Sequence, residues 1–347
     1  MLKHLNRLLR RLAIAIEVIL GLAFSLPRRL LFWRRKPVAI KIFNAIRHPS
    51  GTHIMGRALA EKKLRPPSED DGRWVNFKRI LSQFTTAEAP NAPIELQLGE
   101  RTHRLHTDRD GYFQLELPPS QQTKFTARVP RSGWEKEFPF KGQHDPPPII
   151  IISDIDDTLI ETGATAIRTM IATTIFKNAL TRDLVPGMAA LLKKLSDNGK
   201  YPLFTVTSSP WNLEGFLKNV FKRMQLKVDG IFMTDWGLTV DQWVHPNHDD
   251  HKLAAIRKIL NWFPQSQAVL LGDDTQVDPE VYARACEEFP ERIQAIYIRP
   301  VSGARRRREV ERLLEKVSSD SHVLCLCGTD PTEVPSMISE YLSEQVV

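Results

Sequence analysis

Three carboxylates and a hydroxyl stand within five residues at Asp154-Ile155-Asp156-Asp157-Thr158. Like charges this close raise one another's pKa, so the cluster needs a positive partner. A divalent cation that prefers hard oxygen ligands is the simplest one. Related groups recur further along the chain: hydroxyls at Thr207 and Ser208, an amine at Lys252, and carboxylates at Asp273 and Asp274. Together these are the parts of a phosphoryl-transfer site. One carboxylate attacks, a second moves protons, hydroxyls hold phosphate oxygens, and Mg²⁺ with the lysine offsets the remaining charge. The competing explanation of the first cluster is an acidic loop capping a helix, but a cap uses one acid rather than three.

Such groups must be brought together by the elements that carry them. Ile149-Ile150-Ile151-Ile152 directly precedes the first cluster, and four isoleucines in a row read as a strand buried on both faces. Strand and helix patterns then alternate. Helices are expected at Met188 to Ser196, Asn212 to Met224, His251 to Phe263, Pro279 to Phe289 and Arg305 to Val317. Strands are expected at Leu203 to Thr207, Gly230 to Met233, Ala268 to Leu271, Ile293 to Ile298 and Val323 to Cys327. This alternation predicts an α/β domain over residues 146–347, a parallel Rossmann-like sheet with helices on both faces. Parallel strands carry their carboxyl ends to one edge. Asp154, Asp156 and Thr158 would meet Thr207, Ser208, Asp273 and Asp274 there. Lys252 opens a helix whose dipole it opposes, so it wants an external reason to be present.

Residues 37–145 have a different texture. Short apolar stretches such as Ile94 to Leu98, Tyr112 to Leu117 and Lys124 to Val129 alternate with turn signals, which predicts a small all-β, sandwich-like domain. Asp108-Arg109-Asp110-Gly111 reads as a hairpin turn, and 73–87 as a short helix. No constellation here suggests catalysis. His48, His53, His103 and His106 are expected to be structural or solvated rather than metal ligands. Asp145-Pro146-Pro147-Pro148 reads as a stiff linker between the two domains.

The 347 residues are 42% hydrophobic and 26% charged, the composition of an ordinary globular protein. Three cysteines, Cys286, Cys325 and Cys327, offer no paired framework, and a reducing, cytoplasmic setting follows as the expectation. The net charge of +7 is local: the first fifty residues hold eleven Lys or Arg and one acid, the remainder 37 basic and 40 acidic residues. That distribution argues against a nucleic-acid-coating surface. In residues 1–36, Arg7, Arg10 and Arg11 precede the apolar run Leu12 to Leu26, and Arg28, Arg29, Arg34, Arg35 and Lys36 follow it, with Phe32 and Trp33 between. The run is shorter than the ~20 residues of a spanning helix and lacks a cleavage site. An amphipathic helix lying on a membrane fits best, giving peripheral association, with a packed helix and a short span as alternatives.

Asp154-Ile155-Asp156-Asp157-Thr158 resembles the Asp-x-Asp-x-Thr motif of haloacid dehalogenase superfamily phosphatases. Thr207 matches that superfamily's second motif, Lys252 its third, and Asp273 with Asp274 or Asp278 its fourth, in order across 148–300. A finer resemblance is to the actin-patch phosphatidate phosphatase family with its lipin-like catalytic chemistry. It rests on Ser153 to Ile160, Ser209-Pro210-Trp211, His251-Lys252, Leu271 to Asp273 and Asp278 to Tyr282, with Thr107 to Phe113 in the β-rich part. Ser-Gly would be expected after Gly272-Asp273, but this chain has Asp274-Thr275, which leaves open whether Asp274 or Asp278 completes the fourth motif.

The resemblance implies a haloacid dehalogenase-like fold with roles for individual residues. Asp154 would be the nucleophile, forming an aspartyl-phosphate. Asp156 would be the acid/base, Thr207 would hold a phosphoryl oxygen, and Lys252 would offset charge. Mg²⁺ would lie between Asp154, the Asp156 carbonyl and Asp273, with Asp274 or Asp278 completing the set, while Asp157 would support the turn. The stretch from Thr162 to Pro186 is too short for more than a minimal cap, so the site would be open. An open site beside a basic N-terminus makes membrane phosphatidate the leading substrate and diacylglycerol the product. A soluble or protein-bound phosphomonoester is the alternative, and a non-catalytic membrane adaptor a third. Protein partners are not specified.

Overall fold

The structure, a computed structural model, describes residues 38–60, 88–161, 183–234 and 248–344. The expected N-terminal helix, the short helix over 73–87 and most of the expected cap stretch lie outside the described residues. No helix among the described residues is long and apolar enough to cross a membrane.

The N-terminal half is built from β1 (Val38–His48), β2 (Gly51–Ala60), β3 (Pro93–Leu98), β4 (Arg101–His106), β5 (Tyr112–Leu117), β6 (Lys124–Val129), β7 (Trp134–Pro139) and the two-residue β8 (Lys141–Gly142). Period-two patterning shows in β3 and β6. Ile94, Leu96 and Leu98 alternate with polar residues on one strand, and Phe125, Ala127 and Val129 do so on the other. Two four-stranded sheets, ordered β5-β2-β1-β8 and β4-β3-β6-β7, enclose these side chains with Ile40, Ile54 and Phe113. The Asp108 turn forms and feeds β5, with Asp108 Oδ1 accepting from the Asp110 and Tyr112 amides at 2.9 and 2.8 Å. β4 and β5 belong to different sheets, however, so it is a corner between the sheets and not the expected hairpin. In β1 the register against β2 slips between Ile42 and Asn44, so Phe43 is an extra, bulged residue.

The C-terminal half alternates β9 (Ile149–Ser153), α1 (Met188–Leu195), β10 (Leu203–Pro210), α2 (Glu214–Arg223), β11 (Gly230–Thr234), α3 (His248–Trp262), β12 (Gln267–Asp273), α4 (Asp278–Glu288), β13 (Ile293–Arg299), α5 (Ala304–Ser321), β14 (Leu324–Cys327) and α6 (Val334–Glu344). All six strands are parallel, in the order β11-β10-β9-β12-β13-β14. Successive residues feed opposite cores. Ile151, Leu203, Val269 and Tyr297 face α1, α2 and α6, whereas Ile150, Ile152, Phe204, Leu270 and Ile296 face α3, α4 and α5. Counting from β9, the order is 3-2-1-4-5-6, and the chain reverses direction of progress between β9 and β12. Open α/β sheets place their ligand sites at that switch point.

The segment read as a stiff linker is docked on the second half. Pro147 is buried, its carbonyl accepts the Ser266 hydroxyl at 2.5 Å, and the Pro148 carbonyl accepts the Gln267 amide at 3.0 Å. The two halves also share a wide contact. The bulge turns Phe43 onto Trp211, with ring centroids 4.4 Å apart. Asn44 is buried and pairs with both polar groups of Ile231 on the edge strand β11, giving Nδ2 to the carbonyl at 2.8 Å and taking the amide on Oδ1 at 3.0 Å. At the far end of α3, His48 stacks on Trp262, and the Ser50 hydroxyl donates to the Trp262 carbonyl at 3.1 Å. His53 bonds Glu116 at 2.7 Å and, like His48, packs its ring against Trp262.

Candidate active site

At the switch point, β9 and β12 end side by side, and the Asp154 amide donates to the Leu271 carbonyl at 2.8 Å. Carboxylate oxygens of Asp154, Asp273 and Asp278 all lie within 4.8 Å of one another, and all three residues are buried. Asp278 reaches the group because the chain turns back after β12 into the first residue of α4, where Pro279 and the helix dipole both favour it. Its approach depends on Gly272: a Cβ there would sit 2.7 Å from Asp278 Oδ2 and 2.8 Å from its Cβ.

Lys252, fully buried on α3, supplies the countercharge. Its ammonium donates to Asp154 Oδ1 at 2.8 Å and to Asp278 Oδ1. Burial works against that charge, but Asp154 and Asp278 outweigh it and hold the ammonium above its usual range. The carboxylates move the other way. Burial raises Asp154 well above the ordinary carboxylate range, and burial followed by the charge of Asp278 pushes Asp273 up to about 7.

Asp156 sits in a pocket of hydroxyls. Thr207 Oγ1 donates to its Oδ2 at 2.7 Å and Ser209 Oγ at 3.1 Å, while the Ser209 amide donates to Thr207 Oγ1 at 3.0 Å. Burial raises Asp156 despite these donors, which favours a protonated carboxyl able to serve as an acid. Thr207, expected to meet a phosphoryl oxygen, is thus placed on Asp156. Ser209 joins it, although the sequence reading gave Ser209 no role. Thr158 and Ser208 contribute buried hydroxyls with no hydrogen-bond partner among the described residues.

Asp274 corrects an expectation. Its Oδ1 turns away from the three carboxylates and accepts the Val301 and Ser302 amides at 2.7 and 2.8 Å. Alternation explains this, because neighbours at a strand end point to opposite sides and Asp273 already points inward. The geometry therefore brings Asp278, not Asp274, to Asp154 and Asp273. Asp157 takes a left-handed conformation at φ 57°, and its carbonyl accepts from Arg299 at 2.6 Å. Arg306 braces the same region, donating to the Asp274 and Gln276 carbonyls and forking onto Glu280 at 2.6 and 2.8 Å. No local motif announces Arg299 or Arg306, since their partners, main-chain carbonyls and the Glu280 carboxylate, lie far away in sequence.

Four carboxylates surround one ammonium here. Asp154 Oδ2 and Asp273 Oδ2 are buried without a hydrogen-bond partner among the described residues. Asp273 Oδ1 is occupied by the Thr275 amide at 2.6 Å. Two orphaned carboxylate oxygens in a region of excess negative charge fit a hard divalent cation.

Comparisons with known proteins bear on the same residues. Residues 149–300 match the family model of the phosphatidate phosphatase APP1 catalytic domain. Phosphatidate phosphatase APP1 of Saccharomyces cerevisiae is 30% identical over 241 residues, 65% of this chain and 40% of its own length. An uncharacterized protein of Schizosaccharomyces pombe is 27% identical over 197 residues, 56% of this chain and 31% of its own. The chain thus spans less than half the length of either relative. A haloacid dehalogenase-like hydrolase of known structure from Burkholderia xenovorans LB400 covers 57% of this chain and 99% of its own at 13% identity, with a TM-score of 0.34, too low to carry weight. Over residues 149–300, somewhat under half of its length, the chain is similar to the APP1 phosphatidate phosphatase catalytic-domain family.

Proposed function

We propose that the protein is a Mg²⁺-dependent phosphatidate phosphatase that releases diacylglycerol and phosphate through an aspartyl-phosphate. The observation that carries this reading is the meeting of Asp154, Asp273 and Asp278 around Lys252 at the sheet's switch point, with Asp156 and its hydroxyl pocket two residues on from Asp154. Asp154 and Asp273 would hold the cation with Asp278 beside them. When bound, it supplies positive charge that lowers the cost of bringing an anionic phosphoryl group to a carboxylate.

The protein's own groups do the rest. An oxygen of Asp154 attacks phosphorus and the bond to the glycerol oxygen breaks. Asp156, its pKa raised by burial and its carboxyl oriented by Thr207 and Ser209, would deliver a proton to that departing oxygen. The resulting Asp156 carboxylate then takes a proton from water as the water attacks phosphorus. The bond to Asp154 breaks, phosphate leaves, and Asp156 is again protonated. Lys252 holds the Asp154 carboxylate in place and works against burial in favour of its ionised form before attack. The basic N-terminal segment supports a lipid substrate met at a cytoplasmic membrane surface, with the enzyme held peripherally.

The test is Mg²⁺-dependent phosphate release across phosphatidate vesicles and soluble phosphomonoesters, with Asp154→Asn as control. Faster release from phosphatidate, lost in the variant, is the expected result. Equal or better turnover of soluble esters would replace the lipid reading with a general phosphatase. Release unaffected by Asp154→Asn would remove the catalytic assignment.

A further inference from the structure

Helix α5 begins beside the carboxylate cluster. Its entry loop gives the Val301 and Ser302 amides to Asp274, and its Arg306 grips the Asp274 and Gln276 carbonyls, all within the loop that follows Asp273. Val310, Leu314 and Val317 bury its inner face. On the opposite face Arg305, Arg308, Arg312 and Lys316 recur at spacings of three and four, and all four are exposed. These residues form one stripe that starts at the site's edge and runs about 16 Å along the helix. Within it only Arg305 has an acidic partner, the surface pair with Glu309, and such pairs are worth little. Arg308, Arg312 and Lys316 have none among the described residues. The first two arginines also stand where the helix dipole is itself positive, so local electrostatics oppose them. Val301 lies at the head of the stripe, one of two large hydrophobic residues exposed among those described.

We propose that this stripe, with Val301 at its tip, docks the phosphatase half on an anionic phospholipid bilayer and brings the switch-point edge to the membrane. Cations in a row fit a lipid headgroup plane, and an apolar residue beside them fits the boundary just below it. An acidic protein segment would satisfy the charges but gives no reason for the exposed valine. The basic island belongs to a different part of the sequence from residues 1–36 and is attached to the loop that follows Asp273.

The purpose of this contact rests on the lipid-phosphatase reading, but its test does not. The full chain is sedimented with vesicles of phosphatidylcholine alone or mixed with phosphatidylserine, free of any phosphatidate. The combined variant Arg305→Gln, Arg308→Gln, Arg312→Gln is compared with the wild type. Each charge near an anionic surface is worth roughly fivefold in partitioning, so the triple variant should bind phosphatidylserine vesicles about a hundredfold more weakly at low salt. Val301→Asp should weaken binding further. None of these residues touches the carboxylate cluster, so turnover of a soluble phosphomonoester should stay at the wild-type level. Wild-type binding that ignores phosphatidylserine, or triple-variant binding equal to wild type, overturns the proposal. Stripe-dependent binding of polyglutamate without vesicle binding would overturn it too, in favour of an acidic protein partner.

Discussion

Lys252→Met is the substitution that most directly tests how the site balances its charge. The ammonium is buried between Asp154 and Asp278, 2.8 Å from the first. At an effective dielectric of ~20, a pair at 2.8 Å interacts by about 6 kcal/mol. Rehydrating the amine in the unfolded chain offsets part of this, so deletion should destabilise by about 3–5 kcal/mol. The loss must depend on pH. Burial already raises Asp154 in the wild type, and removing the cation raises it further above its unfolded value. A carboxyl raised by folding is penalised above its folded pKa and relieved as pH falls toward the unfolded one. The variant's deficit should therefore be largest near pH 8 and shrink toward pH 5. Urea unfolding followed by tryptophan fluorescence, at several pH values with and without Mg²⁺, measures it. Millimolar Mg²⁺ should narrow the gap in stability without restoring turnover. A variant within about 1 kcal/mol of wild type at pH 8 without divalent cation would refute the reasoning, as would one that keeps its activity.

Asp278→Asn should raise the Mg²⁺ concentration needed for half-maximal turnover at least tenfold, whereas Asp274→Asn should leave it unchanged; equal effects would undo the ligand assignment. Asn44→Leu should orphan the amide and carbonyl of Ile231 and cost about 2–4 kcal/mol in urea unfolding, after allowing for the apolar surface gained. His48 is held down to about 4 by burial, below its ordinary 6.5. The folded protein therefore resists a proton that the unfolded chain accepts, and stability should fall between pH 6.5 and pH 4 by about 2 kcal/mol after screening. His48→Phe keeps the stack on Trp262 and should remove that part of the acid sensitivity, measured as the difference in unfolding free energy across the same window.

The parallel sheet was legible because burial on both faces leaves a strong mark. Ile149 to Ile152 could belong only to a strand covered on each side, and the Asp cluster at its end located the edge where ligands bind. Strand order was not legible, since alternation of strands and helices fits several orders. Choosing between Asp274 and Asp278 needed the backbone direction at the end of β12 and the turn into α4, information that spacing alone does not hold. Ser209 was visible as a hydroxyl near Thr207, but only the β10 geometry turns it onto Asp156. The contact between the halves was the least legible part, because Asn44 and Ile231 lie 187 residues apart and a stiff linker at the boundary says nothing of what it brings together.

The Asn44 clamp has a consequence for how the molecule survives in a crowded solution. β11 is an outermost strand, and Asn44 occupies polar groups on its open side. An open strand edge is a template for pairing with another chain. A catalytic half separated near Pro146 would present that edge together with the Trp211 ring that Phe43 now covers. In the intact chain the β-rich half covers both features at once, the open edge through Asn44 and the Trp211 ring through Phe43.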